Sequence, residues 1–502
     1  MSERKYLESP PPIRTMPPGM RWLLLLPLLL LGGCPTKAPR TSGSATPPAT
    51  LVELAPEIDA LAAELTEHRW APGLVIGLVR GDETLVRGYG RTGPDDATPP
   101  DGDTAFEIGS VTKVFTALLA ADAERRGEIS LDWTLDTLLP PDVPAPRHSE
   151  GPIQLHHLAT HTSGLPRMPS NFDPADPADP FADYDEAALF DFLGGHELTR
   201  APGAGYDYSN VGMGLLGHLV ARHARTTYGE LVAERILEPL GMTATASSVL
   251  PDQRAAVGHD AAGRPVPSWA LDSLAGAGDL TSTAHDMLRF LQHQLAPPSG
   301  LDRAIRATHA DQEIDNGPPM GLGWHLGLGG ATGDPLRWHN GQTGGFHSYI
   351  AFDPVGRFGV VVLANQAEMV MDALGLVLVR MLRGQGWELD LPEAISVPAD
   401  TLAQLEGEYP LSLFFVLSVR ADGDQLFVKA TGQPEFPVFA TSETEFHYRV
   451  VPAKIVFTLD PKTGRATSLV LHQNGREMPG NRVEMPAATE SSDDEEGDAV
   501  TP

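Results

Sequence analysis

Apolar residues recur along this chain in two periods, and the switches between them mark its elements. Leu74–Arg80 and Thr84–Tyr89 read as paired strands of an N-terminal hairpin. Ser348–Phe352, a turn at Asp353-Pro354-Val355-Gly356 and the strand Phe358–Asn365 predict a second hairpin. Between them the period changes. Val111, Val114, Phe115, Leu118 and Leu119 recur at helical spacing, and the run ends at Gly127, a C-terminal cap. Val211-Gly212-Met213-Gly214-Leu215-Leu216-Gly217 predicts a further, small-residue helix. The expected fold is a mixed α/β unit. An antiparallel sheet is built from the early and late hairpins, and helices from both ends of the unit cover it. A mostly helical subdomain follows the Ser110 helix, leaving a cleft between the two.

A second change of pattern falls between Leu391 and Pro398, where Pro, Glu and Ser interrupt the apolar periodicity. Beyond it the signal is β: Phe414–Arg420, a turn at Ala421-Asp422-Gly423-Asp424, Gln425–Lys429, Lys454–Leu459, a turn at Pro461-Lys462-Thr463-Gly464, and Ser468–His472. The chain therefore divides into a unit over 51–390 and a small β domain over 398–485. Residues 35–50 are rich in Pro, Ser, Thr and Ala and read as a flexible tether. The acidic tail over 486–502 reads as disordered.

The N-terminus and the charge balance narrow the setting. Arg14 and Arg21 precede Trp22–Leu31, an apolar run too short to span a membrane as a helix. It ends at Leu31-Gly32-Gly33-Cys34, which gives residues 1–34 the form of a secretory leader. That ending also resembles a bacterial lipobox, whose cysteine becomes the lipidated first residue. Cys34 is the only cysteine in the chain, so no intrachain disulfide forms. The likeness implies a lipid-anchored protein of the bacterial cell envelope, and Pro35 in place of Asp favours the outer membrane. With 36 basic residues against 66 acidic ones, the net charge is −30. Nucleic acid, which needs a basic patch, is excluded as a partner class.

The candidate chemistry begins at Ser110-Val111-Thr112-Lys113, at the start of the predicted helix. Positions i and i+3 share a helix face, so Lys113 lies one turn above Ser110. Serine needs a base to act as a nucleophile. A lysine serves only when neutral, although a free one titrates near ~10.4. Burial and nearby positive charge lower that value. The bland alternative is an N-cap serine followed by a solvent-facing lysine. Ser2-Glu3-Arg4-Lys5 repeats the spacing in the leader, so the motif alone is weak. Tyr208-Ser209-Asn210 adds a tyrosine able to relay a proton, or a loop tyrosine that caps the next helix. His339-Asn340-Gly341-Gln342 adds a polar strand; His325-Leu326-Gly327 is a competing copy. His157 and His161 have the spacing of zinc ligands, but no Glu follows His157 to make the metalloprotease form. No metal or other cofactor is called for.

Together these segments resemble the serine beta-lactamase and penicillin-binding-protein superfamily, in its class C-like branch. That branch also holds D-alanyl-D-alanine carboxypeptidases and esterases. The likeness runs from about Leu51 to about Trp387. It rests on Phe106–Lys113, Leu158–Leu165, Tyr208-Ser209-Asn210, Pro239–Met242, Gly276–Thr283 and His339-Asn340-Gly341, in the family's order. The resemblance implies Ser110 as acylated nucleophile, Lys113 as its base and Tyr208 as proton relay. It implies substrate contacts at Asn210, His339 and Gly341, and an oxyanion hole from the backbone N–H groups of Ser110 and Gln342. It implies D-amino-acid peptides or small esters as substrates. His339 stands where better-known members carry the lysine of Lys-Thr-Gly. Near neutral pH a histidine is mostly uncharged there. The β region resembles the barrel domain appended to this branch, near Gly432-Gln433-Pro434 and His472-Gln473-Asn474-Gly475. A reading from another class is a non-catalytic surface lipoprotein that binds peptidoglycan or a protein partner through the same cleft. Retention of Ser110, Lys113 and Tyr208 together argues against it.

Overall fold

The structure is a computed structural model that describes residues 40–483, apart from 43–45, 69, 332, 390, 392–393, 413, 434, 450, 452 and 474. The leader with Cys34, much of the tether and the acidic tail lie outside the described residues. The chain divides into two compact units between Glu393 and Ala394.

In the first unit, helix α1 is Ala55–Glu67, strand β1 Gly73–Arg80 and β2 Glu83–Gly90. Helix α2 is Thr112–Arg125, α3 Asn210–Ala224 and α4 Ala284–Leu295. Then come β3 His325–Leu326, β4 Arg337–Gln342, β5 His347–Asp353, β6 Phe358–Ala364 and helix α5 Val370–Leu382. The strands form one antiparallel sheet in the order β2-β1-β6-β5-β4-β3. Both predicted hairpins are present, with Leu74 opposite Tyr89 and Ser348 opposite Leu363. They join where Leu363 pairs with Val75.

The sheet explains why β1 reads as an unbroken apolar run. Side chains alternate between faces with period two, and here both faces are covered. Val75, Val79, Ile350 and Phe352 enter one core, with Leu288 and Leu291 of α4. Leu74, Ile76, Leu78 and Val362 enter the other, with Ile58 and Leu61 of α1 and Leu374 of α5. Each such side chain contributes roughly 1.5–3 kcal/mol on burial. Beyond α4 the helical subdomain packs on the first core, through Val211, Leu215 and Leu219 of α3 and Phe115 and Leu118 of α2. Arg40–Ser42, inside the expected tether, pairs as a short strand with Trp387–Leu389. Backbone groups make that pairing, so side-chain composition did not announce it.

The second unit is an antiparallel near-barrel. Its strands are β7 Gly407–Ser412, β8 Phe415–Asp422, β9 Gln425–Ala430, β10 Glu435–Ala440, β11 Glu445–Tyr448, β12 Ala453–Leu459, β13 Ala466–Gln473 and β14 Arg476–Asn481. They pair in chain order, and a bridge between Glu408 and Val483 brings the two ends together. The four strands expected from the pattern are β8, β9, β12 and β13. Three of the others carry Pro410, Pro437 and Pro479, residues that argue against a strand because they donate no ladder bond. Pro410 sits at a register shift in β7, and β7 and β14 are the end strands of the order. The unit has its own core of Leu417, Leu426, Ile455 and Leu469.

Candidate active site

A two-residue strand, Phe106–Glu107, pairs with Thr281–Ser282 and delivers the chain to a tight turn at Gly109–Val111. Helix α2 begins at once after it. No side chain caps this junction, so Ser110 is not a capping serine. Ser110 is half-buried, whereas Lys113 has no exposed surface. Lys113 Nζ lies 2.8 Å from Ser110 Oγ and donates to the Ala277 carbonyl at 2.6 Å. That carbonyl is held by the turn Asp272–Ala277, which packs closely on α3. A Cβ on Gly217 would sit 2.9 Å from the Gly276 Cα, which is why the helix is built of small residues there. From α2, Thr116 Oγ donates to the Gly276 carbonyl at 2.7 Å. Burial, and then the charge of Arg167, hold the Lys113 amine well below its ordinary pKa. A neutral amine with one N–H bound by Ala277 keeps its lone pair for the Ser110 hydroxyl proton.

The loop before α3 places Tyr208. His161 takes the left-handed backbone conformation at φ 59°. Its carbonyl accepts from Asp207 N at 2.8 Å, and its Nδ1 accepts from Ser209 N at 3.1 Å. The His161 and Tyr208 rings are 4.4 Å apart. Ser209 Oγ, not the Tyr208 hydroxyl, caps α3 by accepting from Gly212 N at 2.9 Å. The Tyr208 ring lies 5.0 Å from Lys113 Nζ and 4.9 Å from the Arg167 guanidinium carbon. Burial raises the phenol's pKa, opposed by Arg167 and by a hydrogen bond with Ser110. Asn210 opens α3, its Nδ2 3.5 Å from Met168 Sδ.

Strand β4 forms the opposite wall. A Cβ on Gly341 would collide with the Ile108 carbonyl and lie 2.5 Å from Ser348 Oγ. Gly109 has φ +47°, and a Cβ there would sit 2.7 Å from Gln342 N. Only glycine at both positions lets β4 approach the Ser110 turn this closely. The Gln342 backbone is thereby set beside Ser110. Asp372, at the start of α5, braces the strand: it accepts from Asn340 Nδ2 and from His347 Nε2, each at 2.7 Å.

His339 is fully buried. Its Nδ1 donates to the Asn340 carbonyl at 2.6 Å, and its Nε2 meets no hydrogen-bond partner among the described residues. Burial, then His325 and Lys113, hold it well below the usual imidazole value. His325, from the copy expected to be incidental, stacks 4.6 Å from Trp338 and lies 5.1 Å from the His339 ring. Burial lowers its pKa to about 4. His161 is likewise buried and held low. Three imidazoles with lowered pKa values thus lie about the Ser110–Lys113–Tyr208 group. His157 serves elsewhere, its Nδ1 accepting from Gln154 N at 3.0 Å in a helix cap. The residues that sequence reasoning missed are Ala277, Arg167 and His325. A backbone carbonyl leaves no side-chain signal; His325 was visible only as a second His-x-Gly.

A family model described as Beta-lactamase matches residues 58–380. The chain belongs to the beta-lactamase family. A second model, a domain of unknown function (DUF3471), matches residues 391–482. This beta-lactamase-family chain is 30% identical over 346 residues to a beta-lactamase of Pseudomonas fluorescens, covering 62% of this chain and 92% of that protein. It is 29% identical over 363 residues to the D-alanyl-D-alanine-carboxypeptidase/endopeptidase AmpH of Escherichia coli K12, covering 68% of this chain and 92% of that protein. The crystal structure of a beta-lactamase/D-alanine carboxypeptidase from Pseudomonas syringae superposes with a TM-score of 0.57 at 25% identity, over 66% of this chain and 98% of that one. The expected fold is therefore present: a beta-lactamase-type α/β unit followed by an antiparallel near-barrel. At the level of the family, the likeness supports a serine hydrolase of the beta-lactamase and carboxypeptidase kind.

Proposed function

We propose that this chain is a serine hydrolase that works through an acyl-enzyme on Ser110. The observation that carries this reading is the buried Lys113 amine, 2.8 Å from the half-buried Ser110 hydroxyl. Lys113 takes the hydroxyl proton as Oγ attacks the acyl carbon. The backbone N–H groups of Ser110 and Gln342 receive the negative oxygen, each such donor being worth roughly 2.7–4 kcal/mol in the transition state. The carbon's bond to the leaving amine or alcohol then breaks, and Tyr208 passes that group the proton taken from Ser110. Water repeats the sequence on the acyl-enzyme. It adds to the acyl carbon, releases the acid and restores the Ser110 proton.

The substrates that fit this reading are amides or esters of D-amino-acid peptides and small esters. A purely binding protein is disfavoured, because desolvating a lysine against a serine costs folding free energy that binding does not require. The leader ending at Cys34 supports attachment to the envelope by a lipid, and Cys34→Ser should abolish palmitate labelling and release the protein from membranes. The test of the chemistry is mass spectrometry of the whole protein after incubation with a penicillin, a fluorophosphonate and a D-Ala-D-Ala peptide. An adduct on the wild type that is missing from Ser110→Ala supports the reading. Equal adducts on both proteins, or none with any probe, overturn it.

A further inference from the structure

A D-Ala-ended peptide carries a carboxylate next to its scissile bond, and something in the cleft must receive it. The residues of β4 nearest Ser110 carry no cation: His339 is buried, with its Nδ1 turned to a backbone carbonyl. Arg337, further along the strand, is tied to the carbonyls of Pro335 and His309 at 2.6 and 3.2 Å.

Arg167, on the facing loop, is placed differently. Its carbonyl accepts from Asn210 N at 2.9 Å and Val211 N at 3.3 Å, pinning its backbone to the first turn of α3. Its guanidinium lies over the Tyr208 ring, the same ring that Lys113 Nζ approaches. The side chain is exposed. Among the described residues no carboxylate lies within ion-pair distance of it, while nearby Arg200 pairs with Asp207 at 3.8 Å. In a chain with 66 acidic and 36 basic residues, an arginine at the site without an acid stands out. Its charge is also felt within the site, lowering the pKa of Lys113 and of His161.

We propose that Arg167 is a specificity-determining residue: its guanidinium receives a carboxylate carried by the leaving group, on the Tyr208 side of the cleft. The inference rests on the acyl-transfer reading of Ser110 and adds to it the residue that selects amides whose departing amine bears a carboxylate. A planar guanidinium can bind a carboxylate through two parallel N–H bonds. Held over Tyr208, it sets the departing amine beside the hydroxyl that protonates it.

The test compares one acylated D-Ala-D-Ala dipeptide as free acid and as C-terminal amide. The quantity read is the ratio of their kcat/KM values in wild type, Arg167→Gln and Arg167→Lys. Effects on Lys113 or on Tyr208 packing act on both peptides and cancel in the ratio. Wild type should prefer the acid. Arg167→Gln should lower the ratio by about tenfold or more, mainly through KM, as for loss of a charge-assisted hydrogen bond. Arg167→Lys should recover part of it. A ratio unchanged within about twofold in Arg167→Gln, a scale well below one such bond, makes Arg167 a support for Tyr208 and overturns the proposal. Fluorophosphonate labelling separates the failures. If Ser110 is labelled but wild type cleaves neither peptide, this substrate class falls and the acyl-transfer reading stands. If Ser110 is labelled by none of the fluorophosphonate, the penicillin and the peptide, both fall.

Discussion

Lys113 on α2 and His339 on β4 lie near one another and share a surprising amount. Each is fully buried, and each has its pKa lowered mainly by burial. They differ in what touches the nitrogen. Lys113 Nζ meets the Ala277 carbonyl and the Ser110 hydroxyl. His339 Nδ1 is turned to the carbonyl of the next residue, and Nε2 meets no partner among the described residues. Desolvation lowers the pKa of both groups. Under the acyl-transfer reading, the Ser110 hydroxyl lying against Nζ is what makes Lys113 the base.

The largest expected effect removes the nucleophile. Ser110→Ala should lower turnover on the order of 10⁴-fold or more, with the circular dichroism spectrum unchanged. Near-parental hydrolysis by this variant would show that the wrong wall had been chosen. Next comes the direct contrast between the two buried groups. Lys113→Gln should lose about 10²–10⁴-fold in kcat, the range for a general base. His339→Gln should stay within about tenfold, well below that range. A Ser110→Ala/Lys113→Gln double variant should be no slower than Ser110→Ala alone, because the pair acts as a unit. Equal losses in the two glutamine variants would erase the distinction.

The pH behaviour sharpens the same contrast. For catalysis, kcat/KM should rise as Lys113 sheds its proton, at a pH well below its ordinary 10.5. For stability the sign follows from proton counting. Between the depressed Lys113 value and 10.5 the unfolded chain binds one more proton than the folded chain. Stability therefore rises with pH across that window and is lost as pH falls through it. His339 acts with the same sign below 6.5. Urea melts across pH should show the alkaline rise flattened in Lys113→Gln and the acid limb flattened in His339→Gln. If both variants track the wild type, the two groups are not held neutral in the folded state.

The smallest effect concerns the wall itself. Gly341→Ala forces a Cβ against the Ile108 carbonyl and Ser348 Oγ. It should cost about 1–3 kcal/mol of stability, as overpacking does, and slow acylation by moving Gln342. Unchanged melting and rate would mean that β4 can retreat from the Ser110 turn at no cost.

Much of this molecule was legible where the signal is local. Both sheet hairpins, the Ser110 helix with its Gly127 cap and four barrel strands follow from period and turn residues. The strands β7, β10 and β14 did not, because each carries a proline, a residue that argues against a strand. His325 looked incidental because its neighbour in space, His339, is fourteen residues away and is brought to it by the β3–β4 pairing. Arg167 gave no sequence signal at all.

The sequence by itself determined the spacing of Ser110 and Lys113, since helix geometry alone puts residues three apart on one face. That Gly109 and Gly341 must be glycine for strand and turn to touch came from the fold. Only the tertiary structure decided that the pKa values of Lys113 and His339 are both pushed down. Charge state depends on how completely water is excluded and on which carbonyls and cations close around the nitrogen. Those groups, Ala277, Arg167 and His325, come from segments distant in sequence, and no local pattern encodes a dielectric environment assembled from the whole fold.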